Sequence, residues 1–149
     1  MNPIFYLTIK HLHSGMRWLL LVALVVSVGY SLYAMLRKNG LSAPGRLISR
    51  IALYLAHFQF IFGIILYLIS PKVVFSITSM KDPVLRFYLI EHMLAMVVGI
   101  TLITLGYAGL KKAGPSHAPR RIFWYYSIAL ILFLMLIPWP FLSYGASWI

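Results

Sequence analysis

Four long stretches of the 149-residue chain are almost free of formal charge, and this pattern restricts what the chain can fold into. The stretches cover residues 18–36, 51–70, 87–110 and 122–149, and Glu91 is the one formally charged residue inside them. An α-helix needs about 20 residues to cross about 30 Å of hydrocarbon, and each stretch is that long. Because lipid cannot satisfy the open edges of strands, the stretches are expected to form helices.

The composition agrees with insertion into a membrane. Hydrophobic residues make up 62% of the chain and charged residues only 10%, whereas about 25% are charged in a soluble domain. We therefore predict a single transmembrane domain over residues 1–149, folded as an all-α, integral membrane, antiparallel four-helix bundle. The predicted helices cover about residues 4–36, 47–70, 83–110 and 122–143. Asp82 and Pro83 are expected to cap and begin the third helix, and Pro138 and Pro140 to bend the fourth or end it early.

The distribution of basic residues predicts an orientation. The first and third connectors and their flanks hold eight Lys and Arg residues, and the opposite side holds five. By the positive-inside tendency, both termini are expected on the outer, periplasmic side of a bacterial inner membrane. The net charge of +11 is then explained by anionic lipid headgroups in the bilayer and by topology, with no need for a nucleic-acid partner.

Polar residues within the apolar stretches are the candidates for function. A charge at the centre of a bilayer costs at least about 2.5–3.5 kcal/mol on insertion scales, so such residues need a reason to be there. The set, taken from the first three helices, is His11, His13, Arg17, His57, Gln59, Glu91 and His92.

This set of side chains favours haem iron, and copper stays open because the chain has seven Met and five His, although no Met cluster lies beside a His cluster. There is no cysteine for iron–sulfur ligation, and two acidic residues are too few for Ca²⁺ or Mg²⁺. Zinc would require more ligands at closer spacing. Two imidazoles from facing helices can hold a b-type haem inside a bundle. His92, about 14 Å into its helix, is the leading ligand, with His13 at about 15 Å and His57 at about 20 Å competing as its partner.

Neighbouring residues extend this hypothesis. Arg17 shares a helical face with His13, and we predict that it contacts a haem propionate. His92, Met96 and Gly99 share a face, where a glycine permits close approach of a ring or a helix. Tyr88 and Gln59 could donate hydrogen bonds to a quinone. Against these roles, each histidine could simply hydrogen-bond neighbouring helices. Glu91 could pair with Arg17 or Lys81, or relay protons.

Three segments also carry a resemblance. HLHSGMRW, HFQFIFGIILYLISP and MKDPVLRFYLIEHMLAMVVGITLITLGY resemble small bacterial four-helix membrane proteins generically labelled cytochrome b. The resemblance implies a b-haem, an inner-membrane location and respiratory electron transfer, with His13, His57 and His92 at the cofactor. The chain is more loosely similar to the four-helix membrane protoporphyrinogen oxidases, through His11 and Trp18, but Ser14 replaces the glycine of that pattern.

The residues and the resemblance together predict a membrane b-type haem protein that transfers electrons, between quinol and a respiratory partner, within a larger complex or a homo-oligomer. Two alternatives stay open. The chain could be a non-catalytic accessory or assembly subunit of a membrane complex, or a membrane oxidase of haem biosynthesis, for which Glu91 is the one candidate base.

Overall fold

The computed structural model describes residues 2–142 and 144, and within them four long helices dominate. In chain order these are α1 (Pro3–Leu36), α2 (Ala43–Ile69), α3 (Pro83–Lys111) and α4 (His117–Leu136). One short 3₁₀ turn, Ile77–Met80, lies in the second connector. Residues 2–142 and 144 contain no strand. All four helices are long and apolar enough to cross a membrane. The prediction of an all-α helical bundle is confirmed.

Three of the helices begin with a side-chain cap. The carboxylate of Asp82 accepts hydrogen bonds from the backbone N–H groups of Val84 and Leu85 at 2.8 and 3.0 Å, which confirms the predicted start of α3. Asn2 caps α1 and Ser42 caps α2 in the same way. Each cap is followed by a proline in the first helical turn, where the missing N–H costs nothing.

Three predicted helix boundaries were wrong, and at two of them a proline in the first helical turn, comparable to Pro83 of α3, was not recognised as such. α2 begins at Ala43 instead of residue 47, with Pro44 inside its first turn. α4 covers His117–Leu136 instead of residues 122–143, and Pro119 likewise lies in its first turn. The early end of α4 follows from Pro138, because the residue before a proline is driven to extended geometry and Ile137 has ψ of 133°.

A turn of π-helix, Phe87–Glu91, interrupts α3 directly before His92. In a π turn the hydrogen bonds join residues five apart, so residues at that spacing come to lie above one another. Arg86 and Glu91 have this spacing, and their side chains form an ion pair of 2.7 Å. The expectation that Glu91 would pair with Arg17 or Lys81 is therefore wrong.

The helices form a ring in which each packs against its two sequence neighbours and α4 closes back on α1. Consecutive helices are joined by short connectors and run antiparallel, so the starts of α1 and α3 lie at the same end as the ends of α2 and α4. The core between them is apolar, with Leu24, Ala52, Ile103 and Ile122 fully buried.

A small polar network crosses this core near the other end of the bundle. The Ser49 hydroxyl donates its one proton to the carbonyl of Gly45. It must therefore accept in its contact with Ser27, whose hydroxyl donates to Ser49 Oγ at 2.6 Å. The Tyr126 hydroxyl donates to the carbonyl of Ser49 at 2.9 Å. These bonds connect α1 and α4 to α2, and they were not anticipated from the sequence.

Removing the Tyr126 hydroxyl is expected to weaken the bundle modestly. Tyr126→Phe loses one buried hydrogen bond, and the free energy of unfolding should fall by about 0.5–1.5 kcal/mol. Unfolding in detergent micelles, followed by circular dichroism, measures the change. Tyr54→Phe is the matched control, because Tyr54 is 57% exposed on α2. Equal stabilities of the two variants would contradict the role assigned to Tyr126.

Candidate functional site

A cavity of about 220 Å³ lies between the four helices, toward the end where α1 begins. Three of the residues predicted from the sequence to form the site, His13, Arg17 and His92, are among those that line it. Its walls also include Gln59 and Gly63 of α2, and Phe133 of α4 contributes to its apolar part.

His92 is held in one tautomer by the end of α4. Its Nδ1 lies 2.8 Å from the carbonyl oxygen of Leu136. A carbonyl can only accept, so Nδ1 carries the proton and the lone pair of the ring is on Nε2. The early end of α4 contributes to this arrangement, because the carbonyls of a last helical turn lack intrahelical partners. An Nδ1–H bonded to a backbone carbonyl is the arrangement that usually orients a histidine whose Nε2 binds a metal.

His13 faces the cavity from α1 with an unsatisfied ring nitrogen. Its Nδ1 is buried and has no hydrogen-bond partner. The Gln59 amide donates from Nε2 to the backbone carbonyl of His13 at 2.8 Å, and its own Oε1 is also buried without a partner. A Cβ on Gly63 would lie 3.3 Å from His13 Cε1, so glycine leaves the space that this ring occupies. Two neighbouring lining residues, His13 and Gln59, thus each have one buried polar atom without a partner, which marks this region as a place for a polar ligand or water.

The two histidines lie at similar depths on α1 and α3, which are diagonally opposite each other in the bundle. His13 is about 15 Å from the start of α1, and His92 is about 14 Å from the start of α3. Both residues line the same cavity. Of the two predicted partners of His92, the structure brings His13 to the cavity. No group of three or more His, Asp or Glu residues that could hold a metal occurs within residues 2–142 and 144, so a zinc-type cluster is not seen there.

His57, the other predicted partner, lies outside the cavity. Its ring is exposed on α2, and its Nδ1 bonds the carbonyl of Leu53 on the same helix at 2.8 Å. Two residues correspond to about 200° around a helix, so when Gln59 faces inward His57 must face outward. His11 is likewise exposed, two residues before His13.

Arg17 lines the cavity one helical turn beyond His13, toward the middle of the bundle. The residue is only 8% exposed. Its guanidinium lies 5.3 Å from the ring centroid of Trp18 and 5.8 Å from that of Trp139, and both rings can stabilise the cation. The two indoles are themselves in contact, with centroids 5.8 Å apart. The predicted contact of Arg17 with a propionate stays a prediction.

The mouth of the cavity is basic and aromatic. Lys10 of α1 and Lys72 of the second connector both line it. The Lys72 ammonium donates to the backbone carbonyl of Tyr144 at 3.0 Å and lies 4.9 Å from the ring centroid of Tyr88. The Tyr88 hydroxyl donates to the same carbonyl at 3.2 Å. Among residues 2–142 and 144, no acidic side chain lines the cavity.

The charge of Lys10 is expected to act on Lys72. Burial, and then the nearby charge of Lys10, hold the pKa of Lys72 below its usual value. The charged form is therefore disfavoured in the folded protein, and this penalty is relieved as the pH rises through the lowered pKa toward the ordinary lysine value. Lys10→Gln should raise the pKa of Lys72, measured by NMR titration of isotopically methylated lysines. Lys81→Gln should leave it unchanged, and an equal shift in both variants would contradict the assignment to Lys10.

Some site residues were missed from the sequence. Lys10, Lys72 and Trp139 were not assigned to the site, and Gln59 was considered only for a quinone. A signal was present for Gln59, because an amide on an otherwise apolar helix needs a buried partner. No comparable signal marks Lys72 or Trp139, since a connector brings Lys72 to the cavity and a segment after the last helix brings Trp139 to Arg17.

Comparisons with family models, with curated proteins and with solved structures give no match to this chain. They give no link to a cytochrome b family, so the resemblance noted in the sequence stays a prediction. The functional argument has to come from the site itself.

Proposed function

We propose that the chain is a multi-pass membrane protein that holds one b-type haem between His13 and His92 and transfers electrons through it. The observation that carries the proposal is the pair of inward-facing imidazoles at matched depth in one cavity. His92 has its Nε2 lone pair available, and His13 has a buried nitrogen without a partner. His57 is left out, because its ring lies outside the cavity.

The charges around the cavity fit the same group. Haem carries two propionates, and Lys10, Arg17 and Lys72 line the cavity with no acidic side chain beside them in the described part of the chain. Propionates that point toward the mouth would meet Lys10 and Lys72, whereas Arg17 lies one turn deeper. We therefore assign the propionates to the two lysines first, and assign Arg17 a general electrostatic role toward the bound anion.

The residues of this chain position and insulate the group. The Leu136 carbonyl fixes the ring of His92, and Gln59 fixes the backbone of α1 at His13. Leu20, Ile100 and Phe133 supply the apolar part of the wall and limit access of water. When bound, haem supplies an iron that accepts and returns one electron. The apolar wall would limit the access of solvent to the bound group and thereby influence its reduction potential.

The location follows from the proposed membrane insertion. The excess of basic residues at the ends of α1 and α3 and at the starts of α2 and α4 favours a cytoplasmic position for that side of the bundle, and the cavity would then open toward the periplasm. We propose a bacterial inner-membrane location with both termini outside. Quinol is the proposed electron donor, and a protein partner in a complex or a second copy is the proposed acceptor.

A quinone is a weaker proposal for the cavity itself. Tyr88 and Gln59, the predicted donors, do line the cavity. The Tyr88 hydroxyl already donates to the Tyr144 carbonyl, however, and the Gln59 amide already donates to the carbonyl of His13. A quinone there would also compete for space with haem, so we place any quinol contact at the mouth.

An accessory or assembly subunit is the second candidate, and one contact favours it. The hydrogen bond between His92 and Leu136 joins α3 to α4, which is what a purely structural histidine would do. The haem-biosynthesis hypothesis loses its candidate base, because Glu91 is paired with Arg86 and does not line the cavity.

Colour on purification separates the two candidates. The chain is expressed in haem-replete bacteria, extracted in mild detergent, and examined by reduced-minus-oxidised absorption spectra. We expect an α-band and a matching pyridine haemochromogen. A colourless protein that also fails to take up added haemin would refute the haem proposal and favour the accessory subunit.

A further inference from the structure

A second cavity lies at the opposite end of the bundle, where α3 ends and α4 begins. Its volume is about 470 Å³. The residues that line it are Gly109, Lys112, Ala113, His117, Arg120 and Arg121. Two arginines, a lysine and a histidine thus line one open space. The two acidic side chains of the whole chain, Asp82 and Glu91, lie at the other end of the bundle, so this cluster has no carboxylate partner among the side chains.

One of these cations is held rigidly in place. The Arg121 guanidinium donates to the carbonyls of Leu105 and Gly106 near the end of α3, at 2.9 and 3.3 Å. It also lies 4.8 Å from the ring centroid of Tyr125. A side chain on Gly109 would occupy the position of this guanidinium. The two bonds use two of its five N–H donors, so an ordered, permanently charged fork remains for an anion.

An apolar surface begins directly beside the basic cavity. Arg120, Trp124 and Ile128 follow one another at four-residue spacing and therefore form one ridge along α4. Trp124 is 53% exposed and Ile128 49% exposed, and Leu105 on α3 is 49% exposed. A cationic cavity next to an exposed apolar ridge is complementary to a molecule with an anionic head and a hydrocarbon tail.

We propose that this cavity binds the phosphate of an anionic phospholipid, with its acyl chain along Trp124 and Ile128. The proposal depends on insertion into a membrane but not on haem, since the two cavities lie at opposite ends of the bundle. Arg121 supplies the fixed donors, and Lys112 and Arg120 supply adaptable charge. The apolar ridge selects a lipid over free phosphate.

Native mass spectrometry of the detergent-purified protein tests the proposal. Phosphatidylglycerol and phosphatidylcholine with the same acyl chains are added separately. We expect adducts with phosphatidylglycerol to survive at activation energies that remove phosphatidylcholine. Because each basic residue near an anionic lipid is worth about fivefold, the exposed double variant Lys112→Gln/Arg120→Gln should weaken phosphatidylglycerol binding roughly 30-fold.

The double variant Arg37→Gln/Lys38→Gln is the matched control. It removes the same charge from the same end of the bundle, but outside the cavity, and should keep most of the binding. Equal retention of the two lipids, or an equal loss in both double variants, would overturn the proposal. Inorganic phosphate that displaces the lipid adduct at millimolar concentration would assign the cavity to free phosphate instead. The haem spectrum of each variant reports separately on the other site.

Discussion

Replacing His92 by alanine is expected to abolish stable haem binding. The substitution removes the nitrogen that we assign to iron, and it also removes the Nδ1–H bond to Leu136 that orients the ring. The remaining imidazole, His13, has no hydrogen bond at its buried Nδ1 to orient its ring, so we do not expect it to retain haem alone, whereas the oriented ring of His92 should. We expect the α-band of the purified variant to fall to the background level, measured as pyridine haemochromogen per polypeptide.

His57→Ala is the control for this experiment. His57 was a predicted ligand, but its ring is exposed on α2 and bonded within its own helix. The control should therefore keep the full haem content. Loss of haem in His57→Ala with retention in His92→Ala would contradict the assigned pair. Thermal unfolding of both apo variants checks that His92→Ala has not simply unfolded the bundle.

Adding one methyl group at Gly99 is expected to destabilise the bundle strongly. The ring of Phe133, itself 2% exposed, packs directly on Gly99, and a Cβ there would overlap the ring. Overpacking a rigid core typically costs about 1–3 kcal/mol. Gly99→Ala should lower the unfolding temperature in detergent, and it should also perturb the cavity that Phe133 lines.

Gly29→Ala provides a control with the opposite expected sign. A Cβ on Gly29 meets nothing within 4 Å, and the residue lies in the interior of α1. Alanine is favoured over glycine in a helix by about 0.5–1 kcal/mol, so this variant should be slightly more stable. A Gly99→Ala protein as stable as Gly29→Ala would contradict the close packing of α3 against α4.

The fold could be predicted from the sequence because the apolar stretches are long and almost uncharged. Stretches of that length around turn-forming connectors leave few alternatives to an all-α bundle, and the Asp82 cap was recognised correctly. The errors came from Pro44 and Pro119, which lie in first helical turns. A proline interrupts the interior of a helix but is tolerated at its start, and the local sequence alone did not distinguish these positions.

The site could be predicted only in part, because it depends on helix phase. Depth along each helix could be counted from its start, and on that basis His13 and His92 were predicted to lie at similar depths; both line the cavity. The side of α2 that faces inward could not be deduced from positions along the helix. His57 was therefore included among the predicted haem ligands, and Gln59 was not assigned to the haem site. The π turn before His92 also changes which side chains of α3 face inward, and it was not predicted from the sequence.

The iron ligation of the purified protein is the most direct test of the account. Electron paramagnetic resonance and near-infrared magnetic circular dichroism of the oxidised protein identify the axial ligands, and a pyridine haemochromogen assay gives the haem content. The account predicts one low-spin, bis-imidazole haem per chain, and predicts that His13→Gly converts it to a high-spin form that free imidazole restores. A protein without haem, or a bis-imidazole signal that survives His13→Gly, would contradict the central claim.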